Sequence, residues 1–236
     1  MLFDVAFYSE RGGRTVNEDA VTAAAAGGKV FAIAADGLGG MGNGEAASRD
    51  AAAYLPGLLQ YPMDEDRLCD AIQEENRRIL AMHTEGKQMM TTIAALWAEG
   101  SQALTATVGD TRIYQFRAGQ IVFQSVDHSV AQLQVFSGKI TQAQLRSCAE
   151  QNQLLRALGS EDAAQPELNE LHIEPGDRFL LCTDGFWKLV VEEEMLHWGA
   201  ADTAQLWLQR MQALSFSRCG PHGDNHSAIA IIAVEE

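Results

Sequence analysis

Residues 29–45 read "KVFAIAADGLGGMGNGE". A β-rich run ends in Asp36, and Gly37, Gly39, Gly40, Gly42 and Gly44 follow. Residues 37–42 match G-x-G-x-x-G, and the helix-like "EAASRDAAAYL" comes next. By motif alone this is a dinucleotide-binding turn. Two features argue against that reading. Asp36 would put a carboxylate beside the anionic pyrophosphate that such a turn cradles with backbone N–H groups. The acid-bearing second strand the motif requires is also missing, because "YLPGLLQYPMDED" (54–66) is broken by Pro56 and Pro62. The glycines then serve another purpose. They let the backbone approach a cation closely, so that a peptide carbonyl can ligate it together with Asp36.

The same pattern recurs. "ALTATVGD" ends in Asp110, "RFLLCTDG" brings Asp184 to the end of a strand, and Asp224-Asn225 precedes "HSAIAIIAV". A single carboxylate at a strand end is as easily a helix cap or a turn residue. Four in matching positions, if the strands share one sheet edge, would crowd negative charge into one cleft. Oxygen-seeking cations such as Mg²⁺ or Mn²⁺ would relieve that repulsion.

The chain around these sites has 236 residues, 47% of them hydrophobic, and a net charge of −15. That balance argues against nucleic acid and against anionic membranes as partners. No apolar run is long enough to span a bilayer, and the N-terminus lacks the basic start of a signal peptide. Cys69, Cys148, Cys182 and Cys219 are widely spaced and read as reduced thiols of a cytoplasmic protein. With no linker or repeat, residues 1–236 are expected to form a single domain. Strands are expected over 29–35, 92–98, 102–108, 112–117, 120–124, 178–183 and 227–234, with a hairpin at Ala118-Gly119. Helices are expected near 44–59, 64–83, 141–158, 190–198 and 201–214. This order gives an α+β fold with largely antiparallel sheets.

In this context the chain resembles the compact bacterial form of the metal-dependent type 2C serine/threonine protein phosphatases. "RTVNEDA" (14–20), "ADGLGGMGNGEAAS" (35–48), "TT" (91–92), "VGDTRIYQFRAGQ" (108–120), "DHSV" (127–130), "PGDRFLLCTDGFWKLV" (175–190) and "GDNHSAIAI" (223–231) resemble the family's motifs in order over nearly the whole length. The resemblance implies a four-layer α-β-β-α sandwich of two mainly antiparallel sheets flanked by helices. It also implies hydrolysis of phosphoserine and phosphothreonine in proteins by water activated at a two-metal centre, in opposition to a Ser/Thr kinase.

The resemblance also implies roles for individual residues. Asp36 would bridge two Mn²⁺ or Mg²⁺ ions, with the Gly37 carbonyl on one of them. Asp184 and Asp224 would complete the first metal, and Glu18 would hold the second. Asp19 and Asn225 would support these ligands, and Asp110 would help bind a weaker third ion. Arg14 would grip the substrate phosphate, a task for which its bidentate fork is better suited than lysine. Some positions depart from the family pattern. Leu38 stands where many eukaryotic relatives carry a candidate general-acid His, while His128 and His226 read as local hydrogen-bonding residues. Lys188 replaces a frequent Asp, putting a cation beside the metal ligands. In the variable flap, about 128–160, "SCAEQN" (147–152) replaces the usual H-P-x-x-N. The protein is expected to act as a monomer on phosphoprotein substrates. The alternatives are a catalytically weak phosphatase-like binding module and a dinucleotide-binding oxidoreductase.

Overall fold

The computed structural model describes residues 1–38, 44–161 and 164–235. Among the described residues ten strands form two five-stranded sheets, and every pairing between named strands is antiparallel. One sheet has the order β1 (Leu2–Glu10), β10 (His226–Val234), β9 (Arg178–Cys182), β6 (Arg112–Arg117), β7 (Gln120–Gln124). The other has the order β2 (Asp19–Ala26), β3 (Lys29–Asp36), β4 (Ile93–Glu99), β5 (Gln102–Val108), β8 (Glu167–His172). β3 therefore lies antiparallel between β2 and β4. Among the described residues β3 has no parallel neighbour of the kind that the βαβ unit of a dinucleotide turn requires.

The continuous apolar strands are explained by burial on both faces. In β3, Val30, Ala32 and Ala34 face the other sheet, packed with Leu96, Phe179, Leu181, Ile229 and Ile231. The alternate residues Phe31, Ile33 and Ala35 pack against α1 (Gly44–Tyr54) and α2 (Glu65–Met82) through Ala47, Ala51, Leu68, Ile72 and Ile79. The opposite sheet is covered by α6 (Glu192–Trp198) and α7 (Ala204–Arg218), whose Met195, Trp207, Leu208 and Met211 meet Tyr114, Leu180 and Ala230. Three apolar layers thus separate four layers of secondary structure, the expected α-β-β-α sandwich.

Three strands fall outside the sequence expectation. β2, "DAVTAAAA", is alanine-rich and has little intrinsic strand preference, but pairing with β3 along its whole length overrides that. β1 and β8 are half-buried outer strands of their sheets with mixed polar content. The helix expected over 141–158 shrinks to α4 (Gln142–Leu145), while α3 (Val130–Phe136) forms upstream. The remainder is pulled into tertiary hydrogen bonds. Leu155 N–H donates to the His128 carbonyl (2.8 Å), and Leu158 and Thr91 exchange a pair of backbone bonds (2.8 and 3.1 Å). The Ala118-Gly119 hairpin forms as expected, with both residues at positive φ (49° and 75°).

Candidate metal centre

The acids converge at one end of the sandwich, from both sheets and not from one sheet edge as the sequence pattern suggested. Asp36 closes β3 and Asp110 follows β5 in one sheet. Asp184 follows β9 and Asp224 precedes β10 in the other. Asp19 opens β2 directly across from Asp36. The cleft therefore forms where the two sheets meet.

Each acid is held by its backbone. Asp36 N–H donates to the Thr92 hydroxyl (3.1 Å), and its carbonyl accepts from Thr92 N–H and the Thr91 hydroxyl (both 2.9 Å). This accounts for the Thr-Thr pair at 91–92. Gly37 and Gly44 bring the end of β3 against the start of α1. A Cβ on Gly37 would lie 2.3 Å from the Gly44 carbonyl carbon and 2.7 Å from the Glu18 carbonyl oxygen. Residues 39–43 of the glycine loop lie outside the described residues. Asp184 heads α5 (Asp184–Trp187), and a Cβ on Gly185 would strike the Asn225 carbonyl at 1.9 Å. Only glycine lets the β9 turn pack this closely against Asp224-Asn225.

Asn225 binds the N-terminal loop in place. Its Oδ1 accepts from Glu18 N–H (2.8 Å), and its Nδ2 donates to the carbonyls of Arg11 and Val16 (2.7 and 3.0 Å). The Glu18 carbonyl in turn accepts from Gly37 N–H (3.0 Å) and the Ser48 hydroxyl (2.5 Å). Glu18, Asp36 and the start of α1 are thereby locked together. Thr183 and Ser227 donate to Asp19 Oδ2 at 2.8 and 2.7 Å. Sequence reading assigned these two hydroxyls no role. Their only signal was position, beside Asp184 and just after Asn225.

Crowding leaves its mark on the carboxylates. Burial, then the charges of Asp19, Asp184, Asp110 and Asp224, holds the Asp36 pKa well above the usual carboxylate range. Asp110 is raised by burial and by Asp184 and Asp127. Burial lifts Asp19 to about 7 despite its two hydroxyl donors, and it lifts Glu18 as well. Two cations already answer part of this charge. Arg14 donates to Asp224 Oδ2 at 2.9 Å, and Lys188 to Asp184 Oδ2 at 2.6 Å.

Among the described residues no three acidic, His or Cys side chains are already drawn into a coordination cage. The donor chemistry nevertheless fits hard cations. It consists of carboxylates and a peptide carbonyl, with no thiol or imidazole among them. Asp19 Oδ1, buried across from Asp36, has no hydrogen-bond partner among the described residues.

The histidines near the motifs are engaged elsewhere. His128 Nδ1 accepts from Gly109 N–H (3.1 Å), and fully buried His226 shares Nδ1 with the hydroxyls of Tyr8 (3.2 Å) and Ser215 (3.4 Å). The "GDTRIY" and "DHS" motifs meet in a buried ion pair. Arg112 donates through Nε and Nη2 to the two Asp127 oxygens, both at 2.7 Å. Its guanidinium stacks 3.6 Å from the Trp187 ring centroid, and Trp187 Nε1 donates to the Asp110 carbonyl (2.9 Å).

A family model described as "Protein phosphatase 2C" matches residues 8–218. The chain belongs to the protein phosphatase 2C family. It is 33% identical over 189 residues to the serine/threonine protein phosphatase PstP of Mycobacterium tuberculosis, covering 78% of this chain but 36% of that longer protein. Serine/threonine phosphatase stp of Listeria welshimeri is 32% identical over 174 residues, 69% of each chain. The crystal structure of M. tuberculosis PstP superposes with a TM-score of 0.89 at 30% identity, covering all of both chains. A structure of the PstP catalytic domain in complex with two manganese ions superposes at 0.87 and 29% identity, covering 99% of each. By this membership the chain is a metal-dependent serine/threonine protein phosphatase, and the oxidoreductase reading falls away.

Proposed function

We propose that residues 1–236 act as one catalytic domain that dephosphorylates serine and threonine in proteins, using the acids at the junction of the two sheets. Asp36 would serve both cations, with Asp184 and Asp224 completing one, Glu18 holding the other, and the Gly37 carbonyl on one of the two. When bound, such a pair offsets phosphoryl charge and supplies an activated water near neutral pH. The observation that carries this reading is the convergence of Asp36, Asp110, Asp184 and Asp224, where burial and the neighbouring acids raise the Asp36 pKa and no protein cation is paired with Asp36 among the described residues.

The chain's own residues do the rest. Asn225 and Ser48 fix the backbone that presents Glu18. Thr183 and Ser227 orient Asp19 behind Asp36. Arg14 is held by one nitrogen on Asp224 while its side chain remains 56% exposed, leaving other N–H donors for a phosphate. Leu38 offers no proton, and His128 and His226 are turned away, so the leaving alkoxide would draw its proton from water or another group of the cleft. We propose that it acts as a cytoplasmic monomer opposed to a Ser/Thr kinase. Among the described residues no helix is long and apolar enough to cross a membrane. The test is phosphate release from phosphoserine, phosphothreonine and phosphotyrosine peptides with Mn²⁺ and with chelator. Mn²⁺-dependent turnover of the first two supports the proposal. Equal turnover in chelator contradicts it.

A further inference from the structure

Lys188 lies one turn beyond Asp184, with its backbone N–H on the Asp184 carbonyl (2.9 Å). Its side chain folds back into the acidic cleft. Nζ lies 2.6 Å from Asp184 Oδ2 and 2.8 Å from Asn152 Oδ1, and 5.5 Å from the Trp187 ring centroid. Asn152 belongs to the 128–160 segment, so one ammonium joins a candidate metal ligand to that segment.

The ammonium is largely enclosed, with 20% of its side chain exposed, and is held as an ion pair with Asp184. Trp187, over which Lys188 lies, donates its Nε1 to the Asp110 carbonyl (2.9 Å), which places the ammonium on the Asp110 side of the cleft. The Arg112 fork is already committed to Asp127. Lys188 is therefore the cation paired with Asp184 on the side of the cleft that Asp110 also lines. A divalent ion between these two carboxylates would have to displace a like charge tethered beside them at high effective concentration.

We propose that Lys188 is a built-in cation standing where a third metal would sit beside Asp184 and Asp110. The chain then takes up two divalent cations, not three, and its 128–160 segment is tied to the metal centre through Asn152. This rests on the two-cation reading above. The arrangement has a chemical logic. A lysine supplies positive charge at all cation concentrations, so the Asp110 side of the cleft no longer depends on metal supply.

Equilibrium dialysis against Mn²⁺ with metal analysis of the protein tests the proposal, using wild type, Lys188→Asp and Lys188→Gln. Wild type should hold two Mn²⁺. Both variants should gain a third, weaker ion, since each frees Asp184 and Asp110. A cooperative thermal melt in Mn²⁺ establishes that a variant is folded, and if Lys188→Asp is not, Lys188→Gln decides. Amide exchange should also quicken around residues 150–156 in Lys188→Gln, because the Asn152 tether is lost. Three Mn²⁺ in wild type, or two in the folded variants, would overturn the proposal while leaving the phosphatase reading intact. Wild type that binds no Mn²⁺ would overturn both.

Discussion

Asp36 sits where burial and four other aspartates raise its pKa, and in the proposed centre it is the one carboxylate that serves both cations. Asp36→Asn keeps the shape and removes the charge. Both cations lose a ligand at once, so turnover should fall at least about 100-fold at limiting Mn²⁺. Turnover within a few-fold of wild type would contradict the bridging role. Arg14 should behave differently. A charge-assisted contact to phosphate is worth about 1.5–3 kcal/mol, so Arg14→Ala should cost roughly 10- to 150-fold in kcat/KM. Because its guanidinium is also paired with Asp224, its removal frees that carboxylate. The Mn²⁺ midpoint should then stay put or fall. Arg14→Lys should recover part of the loss, since it keeps charge without the fork. Asp184→Asn should instead raise the Mn²⁺ midpoint. Mn²⁺ titrations and kcat/KM for these variants separate the two roles, and an upward shift in Arg14→Ala matching that of Asp184→Asn would refute the separation.

Glu75 raises a separate question at the level of the helices. It lies inside the α1–α2 contact with its side chain fully buried, beside Asp50, and accepts from Arg78 Nε at 3.1 Å. Its Oε1 has no hydrogen-bond partner among the described residues. Burial, then Asp50, lifts its pKa to about 7. A raised folded-state pKa means the folded protein binds the proton more tightly than the unfolded chain. The associated stability is full below the ordinary glutamate range and is lost as pH rises through about 7. Glu75→Gln mimics the protonated form and should flatten that loss. Between about pH 5.5 and 8, in Mn²⁺ to keep the other acids saturated, wild type should lose about 1–3 kcal/mol more than the variant. Parallel melts for the two proteins would rule this out. The elements also show what sequence can convey. β3, β9 and β10 announced themselves because both faces are buried, and their terminal acids marked the site. β2 did not, because "AVTAAAA" becomes a strand only by pairing with β3. Residues 146–158 look helical in composition but are claimed by Thr91 and His128. Likewise Glu18, Asp36, Asp184 and Asp224 were legible as acids in motifs. The Lys188–Asn152 and Thr183–Asp19–Ser227 bonds depend on distances between chain segments that no spacing encodes.

In a molecule of net charge −15, Asp19, Asp36, Asp110, Asp184 and Asp224 crowd together where the two sheets meet. Cations that bind only the folded state should stabilise it by mass action and by relieving that repulsion. Saturating Mn²⁺ at about 100 times Kd is worth about 2.7 kcal/mol, or roughly 5–11 °C in Tm for a chain of this size. Melts that coincide in Mn²⁺ and in chelator would speak against a cation site built from these acids. The most direct test is anomalous scattering from crystals grown with Mn²⁺. The account predicts two manganese peaks touching the Asp36 carboxylate, one also meeting Asp184 and Asp224 and the other on the Glu18 side. An absence of manganese from this cleft in such crystals, or manganese bound there without contact to Asp36, would contradict it.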